Sequence, residues 1–329
     1  MERVKIAVVG CGAVGSFYGA RLWRAGADTH FLLRSDFEAV SRGGVRVVSL
    51  EGDFTARPHC ARRPEEIGPC DVVVIGLKTT ANTEFTRLLP PLLRPDTRLL
   101  SLQNGLGSDD ELARRFGGER VLGGLCFVCL NRVAPGVVRH TAHGKIVLGE
   151  YGCGSQPRTH ALAEMFRAAG VRCDVTENLA QARWEKLVWN VPFNGLGVAS
   201  IVGHEAFAAG RVPAEFVIPE NGLATDALLA GPGWEQRVRE LMREVIAAAN
   251  ALGFPLAPAL EEKNLANTRV MAAYKASTLL DFELGRPLEL DSIFLEPQRR
   301  ARQAGVPTPT LDLLCAVLAQ LDARRAAAS

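Results

Sequence analysis

Val4-Lys-Ile-Ala-Val-Val-Gly-Cys-Gly-Ala-Val-Gly15 reads as a short β-branched strand that runs straight into a glycine turn. A brief, continuous apolar run of this kind predicts a strand buried on both faces, as in a parallel sheet. Ser16–Ala25 then reads as a helix closed by Gly26, and Thr29–Leu33 as a second strand. The spacing Gly-x-Gly-x-x-Gly, set between a strand and a helix, is the context that makes this motif specific for dinucleotides. Gly10 permits the tight turn, Gly12 lets the backbone approach a pyrophosphate, and Gly15 lets helix and strand pack closely. Cys11, Ala13 and Val14 complete the turn, whose N–H groups at the helix N-terminus would meet the phosphates. A glycine-rich turn without a ligand is the structural alternative.

Working outward, strands are predicted at 44–49, 71–77 and 98–102, with helices over 81–93 and 109–116. Alternating strand and helix argues a parallel sheet wound on both faces. Beyond residue 120, runs at 121–130, 136–140 and 145–150 read as antiparallel additions. A helix over 157–169 and a strand at 172–175 follow. From about residue 178 the pattern turns almost wholly helical, with helices predicted over 179–195, 197–207, 213–228, 234–251, 256–274, 290–304 and 309–323. The tail from Ala323 is low-complexity and is expected to fray. The fold class is therefore α/β: a Rossmann-type dinucleotide-binding domain over 1–177, then an all-helical domain over 178–329.

The 329 residues suffice for two domains. Hydrophobic residues make up 47% and charged residues 22%, an ordinary globular composition. The net charge of +2, from 38 basic and 36 acidic residues, gives no electrostatic reason to expect nucleic acid or a membrane surface. No apolar run approaches the roughly 18 residues of a membrane-spanning helix. The N-terminus lacks a signal-peptide pattern, so a cytoplasmic location is expected. The eight cysteines are expected to be reduced thiols. Cys126-Phe-Val-Cys129 lies in an apolar run without a second such pair, and His140 and His143 lack a third ligand, so no metal site is expected.

The end of the second strand distinguishes the two nicotinamide cofactors. An acid there holds a ribose 2′-hydroxyl, and a cation there suits a 2′-phosphate. Phe31-Leu-Leu-Arg34 offers a guanidinium, with Asp36 two residues later, so NADP(H) is expected. Lys78 ends the strand at 71–77, and Asn104 precedes Gly105 at the end of the strand at 98–102. Both stand where open α/β sheets bind ligands, although Asn before Gly is also ordinary turn chemistry.

Just past the expected boundary, Lys186, Asn190 and Asn194 recur at i, i+4 and i+8 among Trp184, Leu187, Val188, Trp189, Val191 and Phe193. That spacing puts one ammonium and two amides on one stripe of an otherwise apolar helix. The stripe fits a catalytic face, with a lysine to deliver a proton and amides to grip oxygens. It equally fits a boundary helix whose polar groups are satisfied by neighbouring backbone. Pro192 falls between the two asparagines and should kink the helix.

Together these residues resemble the ketopantoate reductase family over nearly the whole chain. The resemblance rests on Gly10-Cys-Gly-x-x-Gly15, Leu77-Lys78, Asn104-Gly105, Lys186-Leu-x-x-Asn190-x-x-x-Asn194, Ser277-x-x-x-Asp281 and Glu289-x-Asp291. The lysine–asparagine motif and the Ser277/Glu289 pair are its specific parts. The resemblance implies NADPH-dependent reduction of a 2-oxo acid, 2-dehydropantoate, to pantoate. Lys186 would be the general acid. Asn190, Asn194 and Ser277 would hold substrate oxygens, and Lys78 and Asn104 would lie near the nicotinamide. Glu289 would contact the cofactor and position the lysine. His204 and Phe294-Leu295 depart from the usual pattern, which leaves another branched 2-oxo acid open as the substrate. A non-catalytic NADP(H)-sensing module would need none of Lys186, Asn190, Asn194, Ser277 and Glu289. A helical second domain also allows a homodimer.

Overall fold

The computed structural model describes residues 3–218, 221–271 and 273–327. It divides into two compact units, Met1–Leu179 and Ala180–Ser329.

The first unit is built on ten strands: β1 Lys5–Val9, β2 Asp28–Leu32, β3 Val45–Ser49, β4 Phe54–Ala56, β5 His59–Ala61, β6 Val72–Ile75, β7 Arg98–Ser101, β8 Val121–Ala134, β9 Val137–Glu150 and β10 Cys173–Val175. Six of them, in the order β5-β2-β1-β6-β7-β8, run parallel. Numbered by themselves they follow 3-2-1-4-5-6, the dinucleotide-binding arrangement whose strand order reverses between β1 and β6. The helices are α1 Ala13–Arg24, α2 Phe37–Gly43, α3 Phe85–Leu88, α4 Ser108–Phe116 and α5 Pro157–Ala168.

Period-2 alternation in the central strands splits the interior into two cores. Ile6, Val8, Val72, Val74 and Leu100 face one side with Phe17, Tyr18 and Phe166. Ala7, Val9, Val73, Ile75 and Leu99 face the other with Phe85, Leu89 and Leu112. Successive side chains of a strand point to opposite faces, so continuous apolar strands bury both.

Beyond β8 the sheet changes character. β8 still runs parallel to β7, and β9 returns antiparallel to it. The runs expected at 136–140 and 145–150 are one strand. His143 (φ 64°) and Gly144 (φ 127°) take up the extra residue of a bulge opposite Phe127 and Val128. β3 and β10 then pair parallel to β9. The helix expected over 81–93 is instead short 3₁₀ turns around α3, because Pro90 and Pro91 supply no N–H.

The second unit comprises α6 Leu179–Ala199, α7 His204–Ala208, α8 Thr225–Ala230, α9 Pro232–Ala251, α10 Leu260–Arg269, α11 Ser277–Glu283, α12 Glu296–Gln303 and α13 Pro309–Ala327. A π turn, Asp291–Leu295, leads into α12. Of the helix expected over 213–228, Thr225–Ala230 is helical. Residues 213–218 are irregular behind Pro213, and 219 and 220 lie outside the described residues. The helix expected over 256–274 is confined to Leu260–Arg269, and residue 272 of that stretch also lies outside them. The frayed tail is corrected too: α13 continues to Ala327, with 328 and 329 not described. Residues 190–199 of α6 are all buried. A helix enclosed on every side forms the centre of its unit rather than a surface layer.

Candidate active site

The glycine turn is shaped by backbone crowding on two sides and space on the third. Gly10 has φ +95°, and a Cβ there would stand 2.2 Å from the Leu77 amide nitrogen. A Cβ on Gly15 would stand 2.2 Å from the Gly10 carbonyl oxygen. These two glycines let β1, β6 and α1 converge at the reversal point of the sheet. At Gly12 a Cβ would meet no atom within 4 Å, so no protein neighbour demands glycine there. The packing that would explain Gly12 has to come from something bound.

The adjoining helix start has the matching electrostatics. Gly12 is the N-cap of α1, no side chain caps it, and no acid lies in its first turn. Orphan N–H groups and the positive end of the helix dipole are therefore available to an anion. The Cys11 thiol is turned inward toward the Val8 and Leu32 carbonyls, at 3.4 and 3.5 Å. Burial, with the nearby Cys60 and Asp36, pushes its pKa well up, so it contributes backbone and bulk rather than a thiolate.

Asp36 explains how the ribose end is set. The buried Asp36 carboxylate accepts hydrogen bonds from Arg132 and from the Gly136 amide at 3.0 Å, and Ser35 adds a third at 3.0 Å. Burial alone would raise its pKa, but these donors outweigh it and hold it below the usual 3.8. Its acceptors are thus committed to the β8–β9 hairpin. Arg34, at the end of β2, is exposed. The nearest acid is withdrawn while the cation is presented.

Lys78 is exposed where the chain leaves β6, and Asn104 is half-buried after β7. Since β7, β6, β1 and β2 are neighbours in parallel, Asn104, Lys78, Gly10 and Arg34 follow the same C-terminal edge of the sheet. A polar circuit that sequence reading missed ties these loops. Gln103 Nε2 donates to Asn82 Oδ1 at 2.8 Å, and Asn82 Nδ2 donates to Ser108 Oγ at 3.0 Å. No linear motif marks it, because its members come from three segments.

In the second unit, α6 carries Lys186 half-buried and Asn190 and Asn194 at 5% and 3% exposure. The Asn194 side chain has a defined orientation. Its Oδ1 accepts the Thr278 backbone N–H at 3.1 Å and the Ser277 hydroxyl at 3.2 Å. An amide N–H can only donate, so Oδ1 must face it and Nδ2 must point elsewhere. The contact also serves α11, whose first turn has orphan N–H groups and no side-chain cap of its own. Asn194 and Ser277, 83 residues apart, are thereby brought together. Glu289 is buried at 6% exposure, one residue before the helical turn that widens into the π turn.

The N-terminal part, residues 6–152, matches the family model described as ketopantoate reductase PanE/ApbA. Residues 221–322 match the model for the C-terminal part of the same family. The chain belongs to the ketopantoate reductase family. A 2-dehydropantoate 2-reductase from Nostoc sp. is 37% identical, covering 98% of this chain and 97% of its own. The crystal structure of a 2-dehydropantoate 2-reductase from Geobacter metallireducens superposes with a TM-score of 0.88 at 43% identity, covering 96% of this chain and 99% of its own. That of the Methylococcus capsulatus 2-dehydropantoate 2-reductase gives 0.86 at 36% identity, covering 98% of both chains.

The departures from the ketopantoate reductase pattern now have physical descriptions. Phe294 is fully buried and packs with Leu314 against Gly195 of α6. His204 is exposed and meets Trp234 edge-on, ring centroids 5.3 Å apart. Pro192 lies within a helix that continues from Leu179 to Ala199, leaving the Val188 carbonyl without its i+4 donor. No helix of the described residues is long and apolar enough to cross a membrane.

Proposed function

We propose that this ketopantoate reductase reduces 2-dehydropantoate to pantoate with NADPH, the 1–177 domain holding the cofactor and the 178–329 domain supplying acid and substrate amides. The Asn194–Ser277–Thr278 arrangement carries the reading, because it turns an amide N–H₂ and a hydroxyl into fixed groups on the Lys186 helix.

The residues present fit the cofactor. The open side of Gly12, the uncapped start of α1 and the Gly10–Gly15 turn suit a pyrophosphate. Arg34 suits a 2′-phosphate through its planar fork. Lys78, Asn104 and Glu289 are assigned to the nicotinamide end. When bound, NADPH supplies the hydride.

The remaining chemistry belongs to the chain. Reduction of a 2-oxo acid builds negative charge on the former carbonyl oxygen. The Lys186 ammonium offsets that charge and delivers a proton to the same oxygen. Asn194 Nδ2, with Oδ1 already committed, can only donate, which matches a substrate carboxylate or hydroxyl oxygen. Asn190 and Ser277 complete the oxygen-binding set, and buried Glu289 orients the ammonium. Removing these groups from water strengthens each interaction.

The test is a panel of 2-oxo acids with NADPH, comparing kcat/KM. A preference of more than about tenfold for another acid, ~1.4 kcal/mol in transition-state binding, overturns the pantoate assignment. Arg34→Asp is expected to lower kcat/KM with NADPH about 10- to 100-fold while sparing NADH, since charge-assisted hydrogen bonds contribute about 1.5–3 kcal/mol. Equal losses with both cofactors would remove Arg34 from the 2′-phosphate. A cytoplasmic location and a homodimer belong to the same proposal, and sedimentation of the purified chain tests the latter.

A further inference from the structure

At the opposite end of the same strands, β2 and its edge neighbour β5 place three ligand-type side chains together. Parallel register sets His30 beside His59, and Asp28 stands two residues before His30 on the same face. The imidazoles stack with centroids 4.7 Å apart and planes 22° from parallel. His30 Nε2 lies 3.0 Å and His59 Nε2 3.6 Å from the same carboxylate oxygen, Asp28 Oδ1. One ligand atom from each of the three lies within 4.8 Å of the others.

The His30 contact has an unusual direction. Its Nε2 is buried, yet despite the 3.0 Å distance it is not aligned to share a hydrogen bond with the oxygen. A ring N–H in a good hydrogen bond points at its acceptor. Two ligands of one metal instead lie side by side, their lone pairs converging on a third point. Bonds of about 2.0–2.1 Å in a tetrahedral site give ligand–ligand edges of roughly 3.3 Å. The two measured separations bracket that value. Burial also lowers the His30 pKa against the pull of Asp28, so the ring is offered as neutral imidazole. The nearby Lys5 ammonium is turned away, donating to the Ile67 carbonyl at 2.5 Å.

We propose that Asp28, His30 and His59 form a site for a divalent transition metal of the zinc class. Two imidazoles with one carboxylate favour such an ion over magnesium or calcium, which take all-oxygen sets. His59 is largely exposed, so water can complete the coordination. The bound ion would clasp β5, three residues long and at the sheet edge, to β2. That clasp is remote from the reacting groups, so its test does not depend on turnover.

The experiment is titration of chelator-treated full-length protein with Zn²⁺ by calorimetry, and with Co²⁺ by absorption. One Zn²⁺ per chain is expected, with a rise in Tm. Co²⁺ should give d–d bands without the charge-transfer band of a thiolate, which separates this site from the free cysteines. His59→Ala should weaken Zn²⁺ binding at least tenfold and abolish the Tm rise. Asp28→Asn should do the same in part, and His204→Ala should do neither. Absence of stoichiometric binding, a thiolate band, or binding unchanged by His59→Ala would overturn the site and leave the trio a stacked ion pair.

Discussion

The turn at Gly10–Gly15 and the helix carrying Lys186 are both candidate site walls, but different physics holds each in place. In the turn, function rests on the absence of side chains. Two glycines are required by backbone 2.2 Å away, and the third is required by nothing in the protein. In α6, function rests on side chains whose roles depend on distant partners. Asn194 is oriented by Ser277 and Thr278, more than eighty residues later. Local geometry can therefore be read from a local motif, whereas a side chain's working orientation is fixed by tertiary contacts.

The sharpest way to break this contrast is Lys186→Ala. Loss of a general acid should lower kcat by about 10²–10⁴-fold, with NADPH affinity, measured by fluorescence titration, changed less than threefold. Survival of turnover would remove the lysine from the proton step. Next in size is a pair of glycine substitutions. Gly10→Ala places a Cβ on backbone at positive φ, so Tm should fall by several degrees or the chain should fail to fold. Gly12→Ala should leave Tm nearly unchanged and weaken NADPH at least tenfold, about 1.4 kcal/mol. If Gly12→Ala binds NADPH normally, the open side of the turn is not where the pyrophosphate lies.

The smallest effect concerns Asp36, which belongs structurally to the first region but works through a distant partner, as Asn194 does. A carboxyl with its pKa below the ordinary value stabilises the fold only while ionised. That contribution is complete above the unfolded pKa near 3.8 and disappears as the pH falls through the lower folded value. Against Asp36→Asn, the native chain should be more stable by about 1–2 kcal/mol near neutral pH. The difference should close below pH ~4 in urea unfolding. A gap that persists in acid would mean that Arg132 contributes through packing rather than charge.

The sequence was most legible where physics is local. The continuous apolar strands named the parallel sheet, and the family match supports both the fold class and the reductase assignment. The Lys186–Asn194 spacing named a helix, and α6 spans it. Less could be read where outcome depends on pairing. β4 and β5 are three residues each and become strands only through their neighbours. Asp36 looked like a rival to Arg34 until Arg132 and Gly136 engaged it. His204 and Phe294 looked like specificity residues, yet one meets Trp234 at the surface and the other fills space against Gly195. The expectation of no metal site weighed Cys126–Cys129 and His140–His143. It could not weigh His30 with His59, which are joined by strand register.

The π turn at Asp291–Leu295 has a further consequence, for insertions and deletions. Such a turn holds one residue more than an α turn. Deleting one residue there would restore the regular period and rotate everything after it by about 100° relative to Glu289. Pro297, Gln298 and Ala301, now buried, would swing off their face, and the charged residues between them would turn inward. A one-residue gap in a loop shortens a connection; a gap here would exchange the inside and outside of α12. The extra residue therefore keeps Glu289 and the α12 core face in phase, and lineages that keep both are expected to keep the count between them.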